Sequence, residues 1–278
     1  MEHAPRIDSH MHVWQVARGD YGWLTPDLKP LYRDFGIDDV RASWDEAGID
    51  GAVLVQAAPT VAETRFLLSV AEREPRVKGV VGWIDMLAPD AVDALERLAS
   101  DNALRGIRPM LQDIPDDAWM LRPELNVVYR AITDLGLRFD ALVLPRHLPH
   151  LLRLIERHPD MPVVVDHGAK PHIGENLDSW HRDMAALAAI PHVHCKFSGL
   201  VTECRGEVSK EALAPVVDIL LDLFGPQRLM FGSDWPVCTL RSTYAQWWQW
   251  ANELTASLSV QAKDDIFGKT AQRFYGLA

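Results

Sequence analysis

The chain has 278 residues, of which 48% are hydrophobic and 24% charged, a balance that fits a soluble globular core and excludes extended disorder. Its formal net charge of -11, with no basic run, argues against nucleic acid as a partner. No stretch approaches the ~18 apolar residues of a membrane span, and no charged-then-apolar leader precedes the first strand, so a cytoplasmic protein without a membrane partner is expected. Cys195, Cys204 and Cys238 form no C-x-x-C pair, which fits a reducing compartment.

The first predicted strand is Arg6 to His12. His10 and His12 stand two apart, so within a strand they point to the same face and can converge on a cation or a carbonyl. A segment carrying Trp14, Tyr21, Trp23 and Tyr32, interrupted by Pro26 and Pro30, follows as a lid or pocket wall, or as a loop tucking its own aromatics onto the body. Asp38 to Gly48 reads as a helix with an acidic start and a glycine stop. Gly51 to Gln56 is strand two, and Thr60 with Glu63 predicts a capping box on a helix ending before Pro75.

The alternation then repeats. Val77 to Asp85 and Leu104 to Arg108 are strands three and four, with helices around Leu95 and from Pro123; Leu137 to Leu144 is strand five, followed by a helix from Leu148 to His158. Met161 to His167 is strand six, nearly continuous in β-branched residues, as suits a strand covered on both faces. His192 to Ser198 is strand seven, between helices around Trp180 to Leu187 and Leu213 to Leu223. Arg228 to Phe231 is strand eight, running into Gly232-Ser233-Asp234-Trp235-Pro236, and helices around Trp247 and Ile266 to Tyr275 close the chain.

Eight strands alternating with helices predict a single-domain (β/α)₈ barrel over residues 1–278. A doubly wound sheet is the alternative, but no G-x-G-x-x-G follows an early strand. In a barrel the carboxyl ends of all strands share one face, so His10, His12, His167 and Asp234 would converge there, with Arg108, Asp140, Lys170, Lys196 and Ser198 around them. Each has a bland reading too. Asp234 could cap the following helix, Arg108 and Lys196 could be ion-paired inside the barrel, Asp140 and Ser198 could cap backbone, and Lys170 could be solvated.

Asp8-Ser9-His10-Met11-His12-Val13-Trp14, Asp166-His167-Gly168-Ala169-Lys170-Pro171, Lys196-Phe197-Ser198-Gly199-Leu200 and Phe231-Gly232-Ser233-Asp234-Trp235-Pro236, in that order, resemble the amidohydrolase superfamily. The match is closest to its lactonase branch, which holds L-fucono- and L-rhamnono-lactonases and pyrone dicarboxylate hydrolases. The resemblance implies a catalytic cluster of His10, His12, His167 and Asp234, with Asp234 as general base. Where two-metal members carry a bridging lysine or glutamate and a histidine, Arg108 and Asp140 stand here, which speaks against a binuclear centre. One Zn²⁺ on His10, His12, His167 and Asp234 suits three nitrogens and an oxygen. Equally, the histidines could polarise the carbonyl without metal, Lys196 or Arg108 sharing the oxyanion charge.

The expected reaction is hydrolysis of a sugar-acid lactone to the free acid. Trp14, Trp83, Trp119 and Trp235 near strand ends are candidate walls for a sugar ring, or core packing; His172 and Arg241 are candidate hydroxyl or carbonyl contacts, or exposed loop side chains. Arg108, Arg146, Arg205 and Arg241 would instead suit a dicarboxylate lactone. A metal-dependent decarboxylase and a non-catalytic barrel binding a small polyol are the remaining alternatives, while the lack of G-x-S-x-G disfavours a serine hydrolase. The partner is thus a small lactone; nothing in the sequence selects an oligomeric state.

Overall fold

A computed structural model describes residues 4–278. Eight parallel strands, β1 (Ile7–Met11), β2 (Gly51–Val55), β3 (Val77–Gly82), β4 (Leu104–Ile107), β5 (Arg138–Ala141), β6 (Val163–Val165), β7 (Val193–Phe197) and β8 (Leu229–Phe231), pair in chain order. The sheet closes on itself: Asp234 N donates to His10 O at 2.8 Å and His12 N to Trp235 O at 2.7 Å. Between the strands lie α1 (Ile37–Ala47), α2 (Val61–Arg73), α3 (Ala91–Ala99), α4 (Asn126–Asp134), α5 (Leu148–Arg157), α6 (Asp178–Ala188) and α7 (Lys210–Phe224), and α8 (Tyr244–Leu254) follows β8. The expected (β/α)₈ barrel is what forms. No helix among the described residues is long and apolar enough to cross a membrane.

Several strands stop earlier than their apolar runs suggest. β3 ends at Gly82 rather than Asp85, β5 at Ala141 rather than Leu144, and β6 at Val165 rather than His167. In β6 the backbone leaves the ladder where polar residues begin, and so carries His167 over the mouth while Asp166 stays buried.

The barrel interior is filled by Ile7, Val53, Val55, Val81, Val164 and Met230, and is plugged at the amino-terminal end by Ala271, Phe274, Tyr275 and Leu277. The closing helix differs from its single predicted form. It runs as α9 (Val260–Asp264), a wide π turn (Asp265–Lys269) and α10 (Thr270–Tyr275). Gly268 lies in that wide turn against the chain entering β1, where an added Cβ would sit 1.6 Å from Pro5 O. Only glycine permits so close an approach.

The predicted capping box on α2 is half formed. Thr60 Oγ1 accepts from Glu63 N at 3.0 Å, but the Glu63 carboxylate turns away and accepts from Ala57 N at 2.9 Å and Ala58 N at 3.2 Å, fixing the loop after β2. Burial pushes the Glu63 carboxyl up to about 7, outweighing those two bonds. A raised folded-state value means its stabilising contribution is full below about pH 4.5 and is lost as pH rises through about 7, on the order of 3 kcal/mol in all. Glu63→Gln is expected to flatten the fall in unfolding free energy between about pH 5 and 7 in urea titrations. An unchanged slope would mean that Glu63 does not take up a proton on folding.

Candidate active site

Asp234 follows β8 with φ 55°, a left-handed backbone that a non-glycine residue rarely adopts. Its side chain does not cap the turn that follows; it lies inward among three imidazoles. Asp234 Oδ1 is 3.2 Å from His12 Nε2, 3.7 Å from His10 Nε2 and 3.8 Å from His167 Nε2. Burial works to raise this carboxyl, and the three histidines outweigh it, holding Asp234 below the ordinary carboxylate range. It is therefore ionised at neutral pH.

Each imidazole is oriented from behind. His12 Nδ1 donates to Val55 O at 2.8 Å, which fixes the ring so that Nε2 faces Asp234 Oδ1 at 3.2 Å. His167 Nδ1 is 2.8 Å from Ser198 Oγ, and its ring lies flush on Gly199. His167, Gly168, Ala169 and Lys170 form a run of left-handed residues, a conformation that costs about 1–2 kcal/mol per non-glycine residue. That strain carries His167 out of β6 and over the mouth. Burial lowers His167 to about 4, and burial together with the Lys196 charge pushes His10 well below its usual value, so both are neutral near pH 7.

Beneath this layer runs a column of buried charge. Lys196 Nζ is 2.5 Å from Asp140 Oδ2, 3.1 Å from Asp166 Oδ1 and 3.1 Å from His10 Nδ1. Arg108 Nη1 pairs with Asp166 Oδ2 at 3.3 Å, while its Nη2 donates to Gln56 O. Tyr275 OH donates to Asp140 Oδ2 at 2.6 Å, tying the end of α10 to the column. Burial works to raise Asp166, but Lys196, His10 and Arg108 outweigh it and hold it well below its usual range; burial raises Asp140 in spite of Lys196.

Above the cluster opens a cavity of about 220 Å³. His12, His167, Asp234, Arg108 and Lys170 reach it, together with Trp23, Gln112 and Asp113. The other expected contacts lie elsewhere. Trp14 is fully buried against Tyr21, Trp23 and Phe35, with Nε1 donating to Arg33 O, and Trp235 packs on Phe35. Trp83 and Trp119 are half-buried away from the cavity lining. Lys196 is sealed inside the barrel. His172 is exposed and paired with Glu175, Arg205 also faces Glu175, Arg146 pairs with Asp117, and exposed Arg241 donates to Gly206 O. Trp23, Gln112 and Asp113 carried no motif; Trp23 was legible only as one aromatic of a lid segment.

The amidohydrolase family model matches residues 7–277. The chain belongs to this family. Two L-fucono-1,5-lactonases are similar to it: that of Burkholderia ambifaria is 43% identical over 275 residues, 97% of this chain and 95% of the relative, and that of Burkholderia multivorans is 37% identical over 99% of this chain and 97% of the relative. A crystal structure of an amidohydrolase from Burkholderia multivorans with bound zinc superposes with a TM-score of 0.93 at 36% identity, covering 99% of this chain and all of that one.

In this amidohydrolase the donor set could hold a divalent ion. The separations of 3.2–3.8 Å between Asp234 Oδ1 and the three Nε2 atoms are near the roughly 3.3 Å edge of a tetrahedron with Zn–N of about 2.0 Å. His12 is oriented toward such an ion by the bond from its Nδ1 to Val55 O.

Proposed function

We propose that this amidohydrolase opens the ring of a neutral sugar-acid lactone of the L-fucono-1,5-lactone kind, giving the free acid. The observation that carries the reading is an ionised Asp234 at the floor of the cavity, backed by three oriented imidazoles, in a chain 43% identical to an L-fucono-1,5-lactonase. Water attacks the ring ester carbonyl and Asp234 takes its proton. The C–O bond to the ring oxygen then breaks, and Asp234 returns the proton to that oxygen, leaving a hydroxy acid. Arg108, a fixed cation lining the cavity, faces the carbonyl oxygen as its negative charge develops. A divalent ion, held by His12, His167 and Asp234, would supply Lewis-acid polarisation of the carbonyl.

A carboxylate held below its usual range is a weak base. That suffices for an activated ester and suits an amide poorly.

The charges at the cavity support a neutral substrate. Arg108 and Lys170 are the cations lining it, and Asp113 and Asp234 oppose them with two carboxylates. Arg146, Arg205 and Arg241, which a dicarboxylate lactone would want, are engaged elsewhere. The aromatic face offered to the ring is Trp23, fixed by its Nε1 bond to Ala57 O at 2.7 Å, in place of the tryptophans expected from strand ends. Three buried free cysteines fit a cytoplasmic location.

The test is a panel of sugar-acid and aromatic dicarboxylate lactones followed by acid release. Sugar lactones should turn over and dicarboxylates should not; the reverse result would sink the neutral-substrate reading. Trp23→Ala is expected to raise KM about fivefold with a smaller change in kcat, as loss of a ring-face contact of ~1 kcal/mol implies. An unchanged KM would remove Trp23 from the binding wall.

A further inference from the structure

We propose that Lys196 is a positioning residue that holds His10 with its proton on Nε2, so that His10 donates toward Asp234 and does not ligate a metal. An ammonium group has only hydrogens to offer. With Lys196 Nζ 3.1 Å from His10 Nδ1, that nitrogen must present its lone pair, and the ring proton goes to Nε2, which faces Asp234 Oδ1 at 3.7 Å.

Lys196 cannot turn away. It is fully buried, with Asp140 Oδ2 at 2.5 Å, Asp166 Oδ1 at 3.1 Å and the Tyr275 ring 5.5 Å from Nζ. Tyr275 OH braces the same Asp140 oxygen from the closing helix.

Two contacts favour the opposite tautomer, and both are weaker. A proton on Nδ1 could reach Asp166 Oδ1 at 3.5 Å, but it would then confront the ammonium at 3.1 Å. Arg108 Nη1 approaches Nε2 at 3.4 Å, a longer contact than the 3.1 Å of Lys196, from a nitrogen that also donates to Asp166 Oδ2. The two cations compete for one lone pair, and the shorter contact is that of Lys196.

His12 and His10 are therefore held differently although they are two residues apart. His12 Nδ1 donates to Val55 O, whereas His10 Nδ1 accepts from Lys196 and so leaves the ring proton on Nε2. A zinc ion entering the cluster would meet an N–H on His10. Binding through His10 would require the proton to move to Nδ1 against Lys196.

The deciding experiment is long-range ¹⁵N–¹H correlation on histidine-labelled wild-type protein, with the His10 ring assigned by its loss in His10→Asn. The expected result is a protonated Nε2 and an unprotonated Nδ1 at neutral pH, retained when zinc sulfate is added while the His12 ring signals move. A proton on Nδ1, or a His10 Nε2 that takes up zinc, overturns the proposal. In Lys196→Met, provided its circular dichroism matches wild type, the His10 signals should change tautomer and kcat should fall about 10- to 100-fold with KM little altered. A folded variant with wild-type His10 signals overturns it equally. The kinetic arm rests on the lactonase reading, but the spectrum does not, so a chain inactive on every lactone would refute that reading and leave the tautomer measurable.

Discussion

Asp234→Asn is expected to lower kcat for lactone hydrolysis by about 10²- to 10⁴-fold while KM changes little. Asparagine keeps the shape of the side chain, and its carbonyl oxygen can occupy the position of Oδ1, 3.2 Å from His12 Nε2. It cannot take a proton. The substitution thus separates the positional role of this residue, which survives, from its role as base, which does not. Because the histidines hold Asp234 below the ordinary carboxylate range, wild-type activity should show no acid limb from this group until the pH is well below 4. A variant that retained a tenth or more of wild-type kcat would leave water activation to another group.

Gly199→Ala should be nearly as damaging by another route. At φ 64° glycine is the residue that fits, and an added Cβ would lie 2.4 Å from His167 Nδ1 and 2.6 Å from its Cγ. The imidazole must swing, breaking its 2.8 Å contact with Ser198 Oγ and moving Nε2 from Asp234. Displacement of a reacting group by about 1 Å is worth about 10²-fold in rate, and the left-handed alanine with its crowded neighbour destabilises by about 1–3 kcal/mol. Urea unfolding at saturating structure and kcat on a sugar lactone, measured together, check both figures. Near-normal kcat in a folded Gly199→Ala protein would mean that the orientation of His167 is not required.

The gathering of His10, His12, His167 and Asp234 was legible in the sequence because His12, His167 and Asp234 follow strands and His10 shares a strand face with His12, and barrel topology brings such positions together. What lies one residue earlier was harder to read. Lys196 stands inside β7, one position before its last residue, so its side chain enters the barrel beneath the site rather than reaching the mouth. Asp166 read as the end of a strand, and nothing local to it announces Arg108, Lys196 and His10 as partners from three other strands. The aromatic wall failed for a different reason. Trp14 and Trp23 have the same composition signal, and the path of the loop decides which faces the cavity: Trp14 is pinned inward by Arg33 O, Trp23 toward the mouth by Ala57 O. Glu63 likewise offered the spacing of a capping box, but two buried amide hydrogens after β2 made a stronger claim on its carboxylate.

The seam between β1 and β8 is also where the chemistry sits. His12 and Asp234 are separated by 222 positions in the chain and meet only when the last strand docks on the first. A contact of that sequence separation brings its stabilisation only at the cost of ordering the intervening chain. A barrel lacking its last strand would hold the three imidazoles without their carboxylate. The reactive centre and the completed wall of the barrel thus depend on one seam.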